Sequence, residues 1–434
     1  MTAARAALLL SALVLPASAG ALAAEGDWSR FRGPNGTGIS QATTIPVRWT
    51  EKDYNWKITL PGVGHSSPVL WGNRIFLTSA DAETAQRLIL CLDAADGHVL
   101  WQREYPSKTY DQNQDNAFAS STPAADAGAV YVTWTVPEEI TLLALDHEGR
   151  QKWRRNLGPL VAKHGSGTSP IVYEDLVVLA NDQEDLNRMP MPGAKAGEKR
   201  AVGQSSLIAV DRKTGQTRWQ VERRTALAAY STPCVYQADG ATPELIFTST
   251  AHGITAVDPR TGKVNWEVDK IFKDRCVGSP VFAPGLVFAG YGYGSRGTLY
   301  VAVRPGSREK GVEAAVAYEI QKPVPLVPTP IVKDGRLFFW YDDGMAACLK
   351  AATGEVLWRE RAGGPTYGSP VWVDGRLYGV ARNGEVLVLS ASDRFELLAR
   401  VPLGEQCYTT PAVAGGVMYI RTLSHLYSLG GKKP

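Results

Sequence analysis

One phrase, Ala209-Val210-Asp211-Arg212-Lys213-Thr214-Gly215-Gln216-Thr217-Arg218-Trp219, constrains this chain most, because the chain repeats it. Leu207 to Val210 is apolar and β-prone, so the phrase reads as a strand, a tight turn and a returning strand that carries a Trp. Asp211 is placed to hydrogen-bond the turn backbone, and Gly215 takes the position where a Cβ would clash. The same pattern returns complete at Ala256–Trp266. It returns with changes at Leu92-Asp93…Gly97…Trp101, Leu145-Asp146…Gly149…Trp153 and Thr353-Gly354…Trp358. A recurring hairpin is a repeat unit, and repeat units bury their apolar faces against one another.

A second marker sets the count. A Ser/Thr-Pro step opens a strand at Pro68, Pro123, Pro170, Pro233, Pro280, Pro330, Pro370 and Pro411, spaced by 55, 47, 63, 47, 50, 40 and 41 residues. Proline is tolerated at the first position of a strand, where its missing N–H does no harm. Each unit holds four strands; in the fourth these are Pro233–Tyr236, Leu245–Thr248, Ile254–Val257 and Val264–Glu267. The last unit supplies three, at Ala412–Val413, Val417–Ile420 and Leu426–Leu429, and the unpaired strand around Trp56 supplies its fourth. Closing the ring in this way leaves no open sheet edge. The expected fold is all-β: one eight-bladed β-propeller of four-stranded blades over residues 25–434, closed by the N-terminal strand joining the last blade. The fifth blade has Tyr318 in place of Trp, and the seventh, around Phe395-Glu396-Leu397-Leu398, has neither. The third carries an insertion, Gln183 to Ser205, expected to be a long mobile loop.

Composition bears on location and partners. The first residues join one Arg (Arg5), an apolar run from Ala6 to Leu15 and the small-residue pattern Ala21-Leu22-Ala23. That run is too short to span a bilayer and reads as a secretory signal peptide, residues 1–24, cleaved near Ala23 or Ala24. No Cys stands near the cleavage site for a lipid anchor, so the mature protein is expected in the periplasm or outside the cell, as a monomer. A net charge of +3, with both signs interspersed, gives no nucleic-acid surface. The five Cys are scattered, without a vicinal pair or a CxxC, and read as small core residues, although a redox role for Cys276 and Cys407 stays open. Asp27-Trp28-Ser29-Arg30-Phe31-Arg32-Gly33-Pro34 reads as an irregular segment packed against the propeller rim.

The pattern A-x-D-x-x-T-G-x-x-x-W around eight blades resembles the pyrroloquinoline-quinone-like (PQQ-like) propeller repeat, over essentially the whole mature chain. In the sixth blade Lys350 stands where the repeat has Asp. The resemblance implies three groups: quinoprotein alcohol and sugar dehydrogenases that bind the quinone and calcium, non-catalytic scaffolds such as that of outer-membrane β-barrel assembly, and exported repeat proteins. Asp27–Gly38 and Ala180-Asn181-Asp182-Gln183 look like the third. The repeat residues themselves build the blade and imply no bound quinone. The vicinal disulfide of the dehydrogenases is absent here.

Propellers carry function at the channel mouth, on inter-blade loops and middle hairpin loops. The ligand-binding set expected there is His65, Asn116, His164, Asp182, Tyr230, Arg275, Tyr293, Tyr367 and Tyr408, with Asn113, Asp115, Asp342, Asp343, Arg382, Arg421, His252 and His425 also on these loops. Asn181–Asp185 offers oxygen ligands of the kind calcium takes, without the spacing of a known calcium loop. The leading functional expectation is an exported ligand- or protein-binding module that performs no catalysis. The alternatives are a quinone- and calcium-dependent alcohol or sugar dehydrogenase, with Asp182 or Asp342 as base, and a scaffold subunit of an envelope complex.

Overall fold

A computed structural model describes residues 27–113, 115–165, 167–188, 199–238, 240–294 and 296–431. The expected signal peptide lies outside them. The chain forms eight antiparallel sheets in a ring. Blade 4 is typical, with Cys234–Tyr236 innermost, then Glu244–Ser249, Gly253–Val257 and Val264–Val268. Blade 8 is built from Ala412–Ala414, Val417–Arg421 and His425–Gly430, and Tyr54–Thr59 completes it, with Lys57 opposite Tyr427 and Ile58 opposite Leu426. The ring therefore closes as the unpaired Trp strand requires. Blade 7 carries a fifth strand that the sequence reading missed: Ile39–Ser40 pairs parallel with its inner strand Val371–Val373.

The repeat phrase works as a blade-to-blade clasp. Asp211 Oδ1 accepts the backbone N–H groups of Lys213 and Thr214 at 3.0 and 2.9 Å, which holds the turn, and Gly215 sits at φ +71°. The Trp of one blade lies flat on the turn glycine of the next: a Cβ on Gly215 or Gly262 would stand 2.7 or 2.8 Å from the rings of Trp153 or Trp219. The indole N–H of Trp153 and of Trp219 then donates to a carbonyl of that next blade, Arg212 and Pro259, at 2.9 and 2.8 Å. Trp56 does the same to Ala94 of blade 1, so the closing strand carries its own clasp. Trp266 instead donates to Glu244 of its own blade. Tyr318 lies over Gly354 and donates to the Ala351 carbonyl, replacing both functions of the Trp. Without a Trp, blade 7 meets blade 8 through Leu398, Ala399 and Val401.

The Ser/Thr-Pro step does more than open a strand. The Ser67 N–H donates to the Thr122 hydroxyl, and Thr122 N–H to Ser169 Oγ. The series resumes from Thr232 to Ser279, Thr329, Ser369 and Thr410, and returns from Thr410 N–H to Ser67 Oγ at 3.1 Å. Each residue gives its N–H to the hydroxyl of the following blade, making a collar around the channel. The one link without such a bond is Ser169 to Thr232.

The segment 27–38 does not sit on the rim as expected. It crosses the channel end and staples the inner strands: Trp28 and Ser29 carbonyls accept from Leu70 and Ala125 of blades 1 and 2. Arg30 Nη2 donates to the Pro233 carbonyl of blade 4 at 2.6 Å, and Arg32 to the Thr329 and Pro330 carbonyls of blade 6 at 2.5 and 2.7 Å. Bare inner-strand edges need partners, and this segment supplies them. The blade-3 insertion is tied at its described ends, where Glu184 pairs with Ala226 and Asp185 with Val202. Residues 189–198, its centre, fall outside the description. All five Cys are buried and free.

Candidate functional site at the channel mouth

Where the inter-blade loops gather, the channel widens into a cavity of about 540 Å³. Phe31, from the stapling segment, closes its floor; the collar of Ser and Thr side chains forms its lower wall. His65, Asn116, His164, Tyr230, Arg275, Tyr293, Tyr367 and Tyr408 line it above the collar. All but Tyr293, which sits on the hairpin turn between Leu286–Gly292 and Gly297–Arg304 of blade 5, converge for a local reason: each inter-blade loop enters the collar a few residues later, so its last side chains face the axis.

Two clusters face each other. On one side His65 stacks on Tyr408, with centroids 4.4 Å apart and planes 17° from parallel, and Tyr367 meets Tyr408 edge-on at 5.7 Å. The Arg382 guanidinium lies over both tyrosine rings, 5.0 and 5.1 Å from the centroids, and pairs with Asp115. Tyr367 Oη donates to the other oxygen of Asp115 at 3.1 Å. Asp115 comes from the loop between blades 1 and 2, so this loop reaches across blade 8 to blade 7. On the other side Asn116 Nδ2 donates to the His164 carbonyl at 2.6 Å, and Arg275 pairs with the fully buried Glu184. Burial and the nearby Arg421 guanidinium push His65 down to about 4, and burial lowers His164 as well. Both imidazoles are thus neutral near pH 7, which suits hydrogen bonding and stacking better than charge pairing.

Asp182 is the exception among the expected site residues. It does not line the cavity; it is half-buried, and its carboxylate accepts the Ala229 N–H at 3.0 Å. Burial pushes its pKa up to about 7. The Asn181–Asp185 stretch is likewise consumed by structure, because Glu184 takes Arg275 and the Lys163 N–H, and Asp185 takes Asn187. Asp342 accepts the N–H groups of Leu326 and Val327, His252 binds Glu267, His425 binds Glu405, and Arg421 is buried against the Ser66 and Thr78 carbonyls. Among the described residues no group of three or more His, Cys, Asp or Glu is arranged to hold a metal ion. Cys276 and Cys407 are fully buried with thiol pKa values raised, Cys407 to about 11, which disfavours the reactive thiolate. Sequence reasoning missed Phe31, Lys163 and the collar hydroxyls as cavity residues. The regular Ser/Thr before each Pro was the available signal.

No curated protein matches the chain in sequence. Among solved structures the fold resembles BamB from Moraxella catarrhalis at 13% identity and a TM-score of 0.57, covering 87% of this chain and 98% of that one. It also resembles the quinohemoprotein alcohol dehydrogenase from Comamonas testosteroni, at 13% identity and a TM-score of 0.65, over 95% and 82% of the two chains. A third likeness, to the computationally designed Ika8 protein, has 11% identity and a TM-score of 0.59, with 87% and 99% covered. At such identities the likeness is one of fold. The family model described as outer membrane protein assembly factor BamB matches residues 34–190, 196–325 and 321–397. By that match, which runs through most of the ring, the chain belongs to this family of PQQ-like repeat propellers.

Proposed function

We propose that the chain is an exported binding module that holds a small molecule in the channel-mouth cavity and performs no chemistry on it. The observation that supports this reading is the cavity itself, floored by Phe31 and walled by His65, Tyr230, Tyr367 and Tyr408 among polar groups. Aromatic faces with a few fixed polar atoms are the usual lining of a ligand site. His65, its pKa held down to about 4 and its ring stacked on Tyr408, is a weak base, and Asp115 is already paired with Arg382, so neither is poised to take a proton from a ligand. Export rests on the signal-peptide reading of residues 1–24, and the family description accords with a place in the cell envelope.

The donor set does not fit a quinone held with calcium. Calcium takes six to eight oxygen ligands, and the acids at this cavity are Asp115, paired with Arg382, and Asp274. Asp182 and Asp342, expected as bases, are engaged with backbone N–H groups away from the lining. A scaffold role in outer-membrane assembly is the second reading, favoured by the family match. Recovery of one defined membrane partner by cross-linking in the envelope, lost on substitution of mouth residues, would support it.

The test of the leading reading is a thermal-shift screen with neutral sugars, nucleosides, organic acids and the quinone. At least one class is expected to raise the Tm of the wild type, and the shift is expected to vanish in the double variant His65→Ala/Tyr408→Ala. No shift with any class, or an equal shift in the variant, would overturn it.

A further inference from the structure

The collar is open at one place. Between blades 3 and 4 the Ser169-to-Thr232 link is missing, and Thr232 is the one collar residue whose hydroxyl accepts no backbone N–H. Thr232 is 2% exposed and lines the cavity, and among the described residues its hydroxyl meets no hydrogen-bond partner. Two residues earlier the Tyr230 hydroxyl is also buried, beside the Arg275 guanidinium, which can only donate and so leaves the phenol proton without an acceptor. Two O–H donors without a protein acceptor, two positions apart in the chain, thus line the one cavity. Buried donors left unmade are costly, and a ligand acceptor is what satisfies them.

The charges around this opening favour a negative acceptor. Lys163 and Arg275 line the same cavity and are balanced by Glu184 and Asp274. Asp182 lies behind, bound to the Ala229 N–H. Arg30 is then the charge without a counter-ion: it is buried beneath Thr232, donates to the carbonyl of the adjoining Pro233, and its Nε has no partner. Burial lowers its pKa only to about 10, so it stays charged at neutral pH. A buried guanidinium without a carboxylate is expensive, and a nearby anion offsets that cost.

We propose that the opening between blades 3 and 4 is a subsite for the oxyanion of a ligand, a carboxylate, phosphate or sulfate. The Thr232 and Tyr230 hydroxyls donate to it, Lys163 and Arg275 flank it, and Arg30 lies beneath. This rests on the cavity being a ligand site and adds the chemical class of one end of the ligand. The rest of the ligand then lies across the aromatic wall formed by His65, Tyr367 and Tyr408.

The full chain is titrated calorimetrically with inorganic phosphate and with phenyl phosphate, against chloride at matched ionic strength. Both phosphates are expected to bind where chloride does not. Tighter binding of phenyl phosphate assigns the oxyanion to a larger molecule, and equal binding assigns it to the free ion. Thr232→Val and Tyr230→Phe are each expected to weaken binding about tenfold. Their ligand-free Tm is expected to stay near the wild-type value, because neither hydroxyl donates to an acceptor among the described residues. Absence of binding by either phosphate, or binding unchanged in both variants, would overturn the subsite. If neutral ligands from the screen still bind and are lost in His65→Ala/Tyr408→Ala, the subsite fails while the binding reading stands.

Discussion

At the residue scale the structure separates groups that face the cavity from groups that hold its wall. Asp182 belongs to the second kind, although its neighbours in sequence made it look like a ligand. Its carboxyl is raised from 3.8 to about 7 by burial. Because the folded-state value lies above the unfolded one, the folded chain binds this proton more tightly. The ionisation penalty is absent below about pH 4. It grows as pH rises toward 7 and is complete above that. Asp182→Asn keeps an acceptor for the Ala229 N–H and removes the penalty. The difference in stability between variant and wild type, followed by urea unfolding, is therefore expected to shift in favour of the variant between pH 4 and 7 and then level off. A difference that stays constant over that range would contradict the assignment. Eight of the expected site residues reach the cavity because loop position alone predicts it; Asp182 does not, because burial is a tertiary property that one strand end cannot reveal.

At the scale of the element, two separate devices hold blade to blade, the clasp at most junctions but not between blades 4 and 5 or blades 7 and 8, and the collar everywhere but between blades 3 and 4. The outer clasp depends on a turn glycine that is both left-handed and covered by an indole. Gly262→Ala, at φ +73° with Trp219 above it, is expected to cost about 2–4 kcal/mol, combining backbone strain and overpacking. Gly285→Ala, at φ +74° with open space around it, is expected to cost only the strain, about 1–2 kcal/mol. Equal losses in urea unfolding would remove the clasp from the account. The inner collar is tested by Ser369→Ala, which leaves the buried Thr329 N–H without its acceptor and is expected to cost about 1–3 kcal/mol. The clasp was legible in the sequence, since Asp, Gly and Trp each had one evident task. The collar was half legible: Pro explained why the step opens a strand, but only the ring shows where the hydroxyl before it goes.

For the whole molecule, closure and stapling determine that a cavity exists at all. The Trp strand joins blade 8 and clasps blade 1, so Trp56→Ala is expected to cost about 3–5 kcal/mol and to expose residues 54–59 to limited proteolysis. Protection equal to the wild type would mean that the ring does not depend on this strand. The segment 27–38 crosses to five blades and turns an open channel into a floored pocket. Its Trp, Phe and Arg could be recognised as anchoring residues from sequence, but their partners lie up to 298 positions away and only the closed ring brings them together. Hydrogen–deuterium exchange with a ligand from the thermal-shift screen tests the central claim, that the mouth cavity is where this propeller binds. Slowed exchange is predicted in the loops entering the collar, around His65, His164, Tyr230, Tyr367 and Tyr408, with the outer strands unchanged. Protection confined to the outer strands, or to the blade edges away from the mouth, would contradict it.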